Sequence, residues 1–139
     1  MSGPSESLQR VIYASRATAG GELKVSEILE TARRNNAALG VTGALLVSGP
    51  YFAQVLEGPP AAVEEIFERI QCDPRHERIT VLEVAHPPAR AFGAWTMAFA
   101  EEREDVSGPT LLDPAAAWGL LDRLQAALTN TAASQRLPG

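Results

Sequence analysis

The stretch Arg33-Arg34-Asn35-Asn36-Ala37-Ala38-Leu39-Gly40-Val41-Thr42-Gly43-Ala44-Leu45-Leu46 reads as the end of a helix, a tight exit at Gly40 and the start of a buried strand. Upstream of it, Val25, Ile28, Leu29 and Ala32 recur at steps of three and four, the stripe of an amphipathic helix over residues 23–37. That stripe ends in two carboxamides, Asn35 and Asn36. A buried carboxamide left unpaired costs roughly 1–3 kcal/mol. Its partner is either a neighbouring backbone group or the polar edge of a ligand.

Working outward, residues 8–15 read as a strand with Val11, Tyr13 and Ser15 on one face and Ile12 and Ala14 on the other. Both faces are partly apolar, so both sides of the sheet are expected to be covered. Gly20-Gly21 marks a loop before the first helix. Residues 41–48 form a second, nearly continuous apolar strand, and Ser48-Gly49-Pro50 turns it into a third over 51–57. There Phe52, Gln54 and Leu56 share a face, which leaves Gln54 between two apolar neighbours. Gly58-Pro59-Pro60 opens a second helix with the stripe Ala62, Val63, Ile66, Phe67 and Ile70, and Asp73-Pro74 ends it. Residues 79–85 and 95–100 read as strands four and five, the latter with Trp95, Met97 and Phe99 on one face.

The order is β-α-β-β-α-β-β, which predicts an α+β, ferredoxin-like sheet with two helices on one face. Residues 114–128 are read as helical, with the stripe Ala117, Leu121, Leu124 and Leu128. This C-terminal helical extension is expected to cover the other face. In domain terms, 1–7 is a disordered lead-in, 8–100 the folded domain, 101–129 the helical extension and 130–139 a flexible tail. In this topology Tyr13, Gln54 and Asn36 converge between the two helices, with Trp95 and Met97 within reach. The group contains no charge and no nucleophile or paired carboxylate for acid–base work. Carboxamides donate and accept, which suits the edge of a flat heterocycle that does both.

Composition narrows the classes. The chain has 139 residues, 45% hydrophobic and 21% charged, as in an ordinary single globular domain. A net charge of −5 argues against nucleic-acid binding. No apolar run approaches the roughly 18 residues of a membrane span, and the N-terminus has no signal-peptide core. The single cysteine, Cys72, precludes an intrachain disulfide and fits a reducing cytoplasm. With His76 and His86 it makes no metal-ligand spacing.

Five blocks in order carry a resemblance: Ile12-Tyr13-Ala14-Ser15-Arg16; Arg34 to Gly43; Phe52-Ala53-Gln54-Val55-Leu56-Glu57-Gly58-Pro59; Asp73-Pro74-Arg75-His76; and Arg90-Ala91-Phe92-Gly93-Ala94-Trp95-Thr96-Met97. Over residues 8–100 the chain resembles the BLUF family, blue-light sensors using FAD, in its short, stand-alone, bacterial form. The resemblance implies that Tyr13 gives an electron and a proton, that Gln54 is the switching amide between the phenol and the flavin, and that Trp95 and Met97 are a switching pair. It implies that Asn36 holds the ring's carbonyl and imide edge, with Asn35 beside it, Ile28 packed on the ring and Arg69 at the other carbonyl. Arg75 and His76 fall in a matching block and are carried as cofactor-binding. The cofactor implied is FAD, with FMN or riboflavin as alternatives. The signal is expected to pass in trans to an unidentified downstream protein or through a homo-oligomer.

Each residue taken alone has a plainer reading. Tyr13, Trp95 and Met97 are core residues, Asn36 a local hydrogen-bonder at a helix end and Gln54 a solvent-facing strand residue. Asp73-Pro74-Arg75-His76 is a helix stop with solvated charge, and Arg33-Arg34 a solvated face. The matching functional alternative is a light-insensitive small-molecule-binding or dimerisation module on the same fold. An acylphosphatase-like hydrolase ranks last, because no nucleophile is on offer.

Overall fold

The computed structural model describes residues 7–18, 25–74, 76–93 and 95–102, together with Leu120, Asp122, Leu124 and Ala126 in helical conformation. The Gly20-Gly21 loop, Arg75, the tail 130–139 and all of the lead-in but Ser7 lie outside the described residues. The elements are β1 (Gln9–Ala17), α1 (Val25–Leu39), β2 (Thr42–Ser48), β3 (Tyr51–Gly58), α2 (Pro60–Gln71), β4 (His76–Ala85) and β5 (Ala98–Glu102). They form one five-stranded sheet in the order β4-β1-β3-β2-β5. Strand β3 is antiparallel to both β1 and β2, β4 is antiparallel to β1, and β5 runs parallel to β2. The order β4-β1-β3-β2 is the ferredoxin-like arrangement predicted from the element sequence, extended by β5.

Alternation along the strands divides the core in two, as the paired apolar faces of β1 require. The helix-side cluster holds Val11, Tyr13, Leu45, Phe52, Leu56 and Met97 with Ile28 and Leu29 of α1 and Val63 and Ile66 of α2. The opposite cluster holds Ile12, Ala14, Ala44, Leu46, Ala53 and Val55 with Phe92, Leu120 and Leu124. Leu120 and Leu124, four apart on a helical path, are buried against this second face, as expected of a covering helix. The stripe read from sequence named Leu121 with Leu124. The structure buries Leu120, and Ala117, Leu121 and Leu128 lie outside the described residues.

Helix α1 runs two residues past the expected end and stops at Gly40, whose φ of +73° suits a residue without a Cβ. Val41 N–H then donates to Asn36 C=O at 2.9 Å, the long-range bond of a Schellman close. The Asn36 backbone is thereby fixed while its side chain stays free to point elsewhere. Gly43 has no alternative either: a Cβ there would lie 1.9 Å from the Val55 carbonyl oxygen.

Two readings need correction. Strand β4 begins at His76 rather than 79, with His76 paired to Ala17, so the fourth block is a strand entry rather than only a helix stop. Strand β5 begins at Ala98, paired to Ala44, so Trp95 and Met97 lie before it. Strand alternation therefore does not apply to them. Met97 belongs to the helix-side cluster, whereas Trp95 packs against the opposite one. The expected single face for Trp95, Met97 and Phe99 holds only for the last two.

Candidate functional site

The site grows from one cross-strand row. Tyr13 on β1, Gln54 on β3 and Leu45 on β2 are direct register partners, and Phe99 on β5 continues the row. The row faces the helices, so Tyr13 and Gln54 are buried at the sheet's centre, with Tyr13 fully inaccessible. Tyr13 Oη donates a hydrogen bond to Gln54 Oε1. Gln54 Nε2 lies 3.6 Å from Met97 Sδ, a weak acceptor. The Tyr13 ring is tilted 52° against Phe67 at 5.4 Å. Burial, and secondarily the negative charge of Asp73, push the Tyr13 phenol above the usual range, so it is neutral at physiological pH.

Above Gln54 a slot opens between the helices. Helix α1 supplies Ile28, Thr31, Ala32, Asn35 and Asn36; α2 supplies Ile66, Arg69 and Ile70; Asp73 follows α2, and β3 supplies Gln54. An apolar slot with a few convergent polar groups is the ordinary form of a small-molecule site. Asn36 Nδ2 donates to the Thr96 carbonyl at 2.7 Å. Its Oδ1 is buried and has no partner among the described residues. An orphan acceptor of that kind costs roughly 1–3 kcal/mol until a donor arrives. The imide N–H of a flavin is such a donor, and Ile28, Ile66 and Ile70 offer apolar walls to a flat ring. The residues present therefore fit the group.

The structure thus brings together Tyr13, Gln54, Met97, Asn36, Asn35 and Ile28. Arg69 lies at the exposed rim and is paired with Glu65, one turn back. Trp95 is turned to the other side of the sheet. Arg75 lies outside the described residues, and of His76 only the strand position is described. Sequence reading does not identify Thr31, Ala32, Ile66, Ile70 and Asp73 as lining. The signal for Ile66 and Ile70 was present in the α2 stripe, but a stripe alone does not say which of its residues face a cavity. It also missed Arg33, which is half-buried and donates from Nε to the Met97 carbonyl at 3.1 Å.

Comparison with known proteins agrees with this geometry. The sequence profile of the BLUF family, sensors of blue-light using FAD, matches residues 8–98. The chain is 37% identical over 121 residues to the photoactivated adenylate cyclase subunit beta of Euglena longa, covering 81% of this chain and 14% of that protein. It is 41% identical over 87 residues to the blue light- and temperature-regulated antirepressor BluF of Escherichia coli, covering 60% of this chain and 22% of that one. The chain thus spans a small part of these curated relatives. Among solved structures, the dark state of the BLUF protein BlrB superposes with a TM-score of 0.66 at 31% identity, covering 94% of this chain and 98% of that one. The ground state of BlsA does so with a TM-score of 0.75 at 28% identity, covering 84% and 87%.

Proposed function

The chain belongs to the BLUF family of blue-light sensors using FAD, and from that premise we propose that Tyr13, Gln54, Met97 and Asn36 are its photosensory apparatus. The observation that carries this reading is the buried chain Tyr13 Oη–Gln54–Met97 Sδ beneath a slot whose polar edge is an unpartnered Asn36 Oδ1. When bound, the flavin supplies the blue-light absorption and an oxidising excited state. Asn36 and Asn35 hold the polar edge of the ring, and Ile28 packs on its face. Tyr13 keeps its proton at Oη in the dark, because burial disfavours the phenolate. On loss of an electron to the photoexcited flavin the phenol would become strongly acidic, with Gln54 Oε1 in place to accept its proton, and return of both to Tyr13 would restore the neutral phenol. Gln54 then reverses its amide. Its donor and acceptor ends exchange with little change in volume, so the rearrangement needs no new space. In a low-dielectric site the two arrangements differ in energy by enough to bias a two-state element.

Among the described residues the slot's lining contains no histidine, cysteine or paired carboxylates, which supports a sensor rather than an enzyme. Its output is a changed affinity for a partner protein or a second copy of the chain, in line with relatives named as a cyclase subunit and an antirepressor. The single cysteine supports a reducing, cytoplasmic setting. Among the described residues no helix is long and apolar enough to cross a membrane.

The test is the absorption spectrum of the purified protein in the dark and just after blue light. A flavin spectrum that shifts slightly to the red and recovers in darkness is expected, and Gln54→Leu should bind flavin yet lose the shift. A full shift in Gln54→Leu would sink the amide switch. Failure to take up flavin, even on reconstitution, would return the protein to the light-insensitive binding module.

A further inference from the structure

Residues 95–97 approach the site without belonging to a strand. The β2–β5 ladder begins at Ala98, and Gly43 N–H donating to the Trp95 carbonyl at 3.1 Å is the backbone bond that tethers the stretch to β2. The next two carbonyls are taken by side chains of α1: Thr96 C=O by Asn36 Nδ2 at 2.7 Å and Met97 C=O by Arg33 Nε at 3.1 Å. Arg33 and Asn36 are three apart and share a side of the helix, so two donors on one rigid element grip two consecutive carbonyls.

We infer that Arg33 is a positioning residue of the photosite: its grip on the Met97 carbonyl holds Met97 Sδ against the Gln54 amide and thereby sets how strongly the dark arrangement is preferred. This rests on the proposed function above. Gln54 has two contacts that define its orientation. Oε1 accepts from Tyr13, and Nε2 meets the sulfur. A thioether accepts weakly and cannot donate. With the amide reversed, Oε1 would face the sulfur and gain nothing, whereas in the arrangement seen Nε2 gains an acceptor. The sulfur therefore favours one orientation, and the size of that preference depends on where the sulfur sits. Met97 is completely buried and cannot adjust freely, so its backbone fixes its reach. Asn36 cannot be assigned this task alone, since it also lines the slot and its other amide atom serves the ligand edge. Arg33 is not among the slot's lining residues and acts only through the 96–97 backbone.

The experiment is a double-mutant cycle read as the dark-recovery rate of the red-shifted spectrum in the full chain with flavin bound. The four proteins are the wild type, Arg33→Gln, Met97→Ala and the double variant. Arg33→Gln is expected to change recovery by about threefold or more where Met97 is present and by less than about 1.5-fold in the Met97→Ala background. A methyl-labelled methionine spectrum gives a second readout that needs no light. The chain has two methionines, Met1 and Met97, so the buried signal is assigned at once and should move in Arg33→Gln. Arg33→Lys keeps the charge and the stem but not the Nε donor in its place, and should behave like Arg33→Gln, which covers the case in which the glutamine variant folds poorly. Equal effects of Arg33→Gln in both backgrounds, or no effect with an unmoved methyl signal, would overturn the proposal while leaving the photosite reading intact. A wild-type protein with no recovering shift would overturn both.

Discussion

Gln54 and Glu57 lie three residues apart on β3, point to opposite sides of the sheet and are both almost wholly buried. Gln54 sits in a neutral network with loose ends: a hydrogen bond from Tyr13, a weak contact to sulfur, and an orphan acceptor nearby on Asn36. Glu57 sits in a charged and closed one. Its carboxylate takes the Arg10 Nε at 2.8 Å and the backbone N–H groups of Ala91 and Phe92 at 3.0 and 2.9 Å. Arg90 completes the clamp by donating to Thr42 Oγ1 and the Glu57 carbonyl. A charge buried with every partner in place has one favourable arrangement and holds it. A carboxamide among neutral partners has a second arrangement of the same volume, with its donor and acceptor ends exchanged. One strand thus carries a closed ion-pair clamp on one face and the proposed switch on the other.

The contrast can be broken most forcefully at Glu57. Glu57→Ala removes the carboxylate that binds Arg10, which is mostly buried, and accepts from the Ala91 and Phe92 N–H groups. Removal of one partner of such a buried pair costs about 3–5 kcal/mol, to be read from the urea midpoint at unchanged slope. A loss below about 1 kcal/mol would mean water replaces the carboxylate and the clamp is not closed.

A smaller effect distinguishes the neutral side by pH. The Tyr13 phenol is raised in the folded protein, so the folded state holds this proton more tightly than the unfolded chain. Its contribution to stability is full below the unfolded value of about 10 and is lost as pH rises above it, at about 1.4 kcal/mol per pH unit. Tyr13→Phe should lack this share of the alkaline decline. Parallel declines in the two proteins would show that the phenolate is accommodated.

The smallest effect is expected at Asn36. In flavin-free protein, Asn36→Leu gives up the bond to Thr96 C=O but also removes the orphan Oδ1. These changes are each about 1 kcal/mol and opposite in sign, so the melting temperature should barely move while flavin affinity, measured by titration, falls. A large loss of stability without flavin would place Asn36 with Glu57 as a structural anchor.

Much of this was legible beforehand, for reasons that differ by residue. The convergence of Tyr13 and Gln54 follows from period-two alternation and the β-α-β-β-α-β order, which make β1 and β3 neighbours. Gly40 and the amide-tipped α1 stripe are local features, and they read correctly. For Trp95 the alternation fails, because it extends past the true start of the ladder at Ala98 and assigns the wrong face. From sequence alone Arg33 reads as a solvated charge, and Asp73 as part of a helix stop. Nothing in a charged residue's immediate neighbours says whether a carbonyl or a cavity will arrive from far along the chain.

By itself the amino-acid sequence determined the elements, their order, the two apolar faces of the sheet and the family. These depend on periodicity and on residues close together in the chain. Only the tertiary structure decided which of Trp95 and Met97 meets Gln54, that Arg33 grips residue 97, that Glu57 closes a clamp with Arg10 and residues 91–92, and that Asn36 keeps an acceptor in reserve. Each of these joins groups more than thirty residues apart or depends on a partner that fails to arrive. Pairing of that kind is set by how the layers dock, which no local pattern encodes.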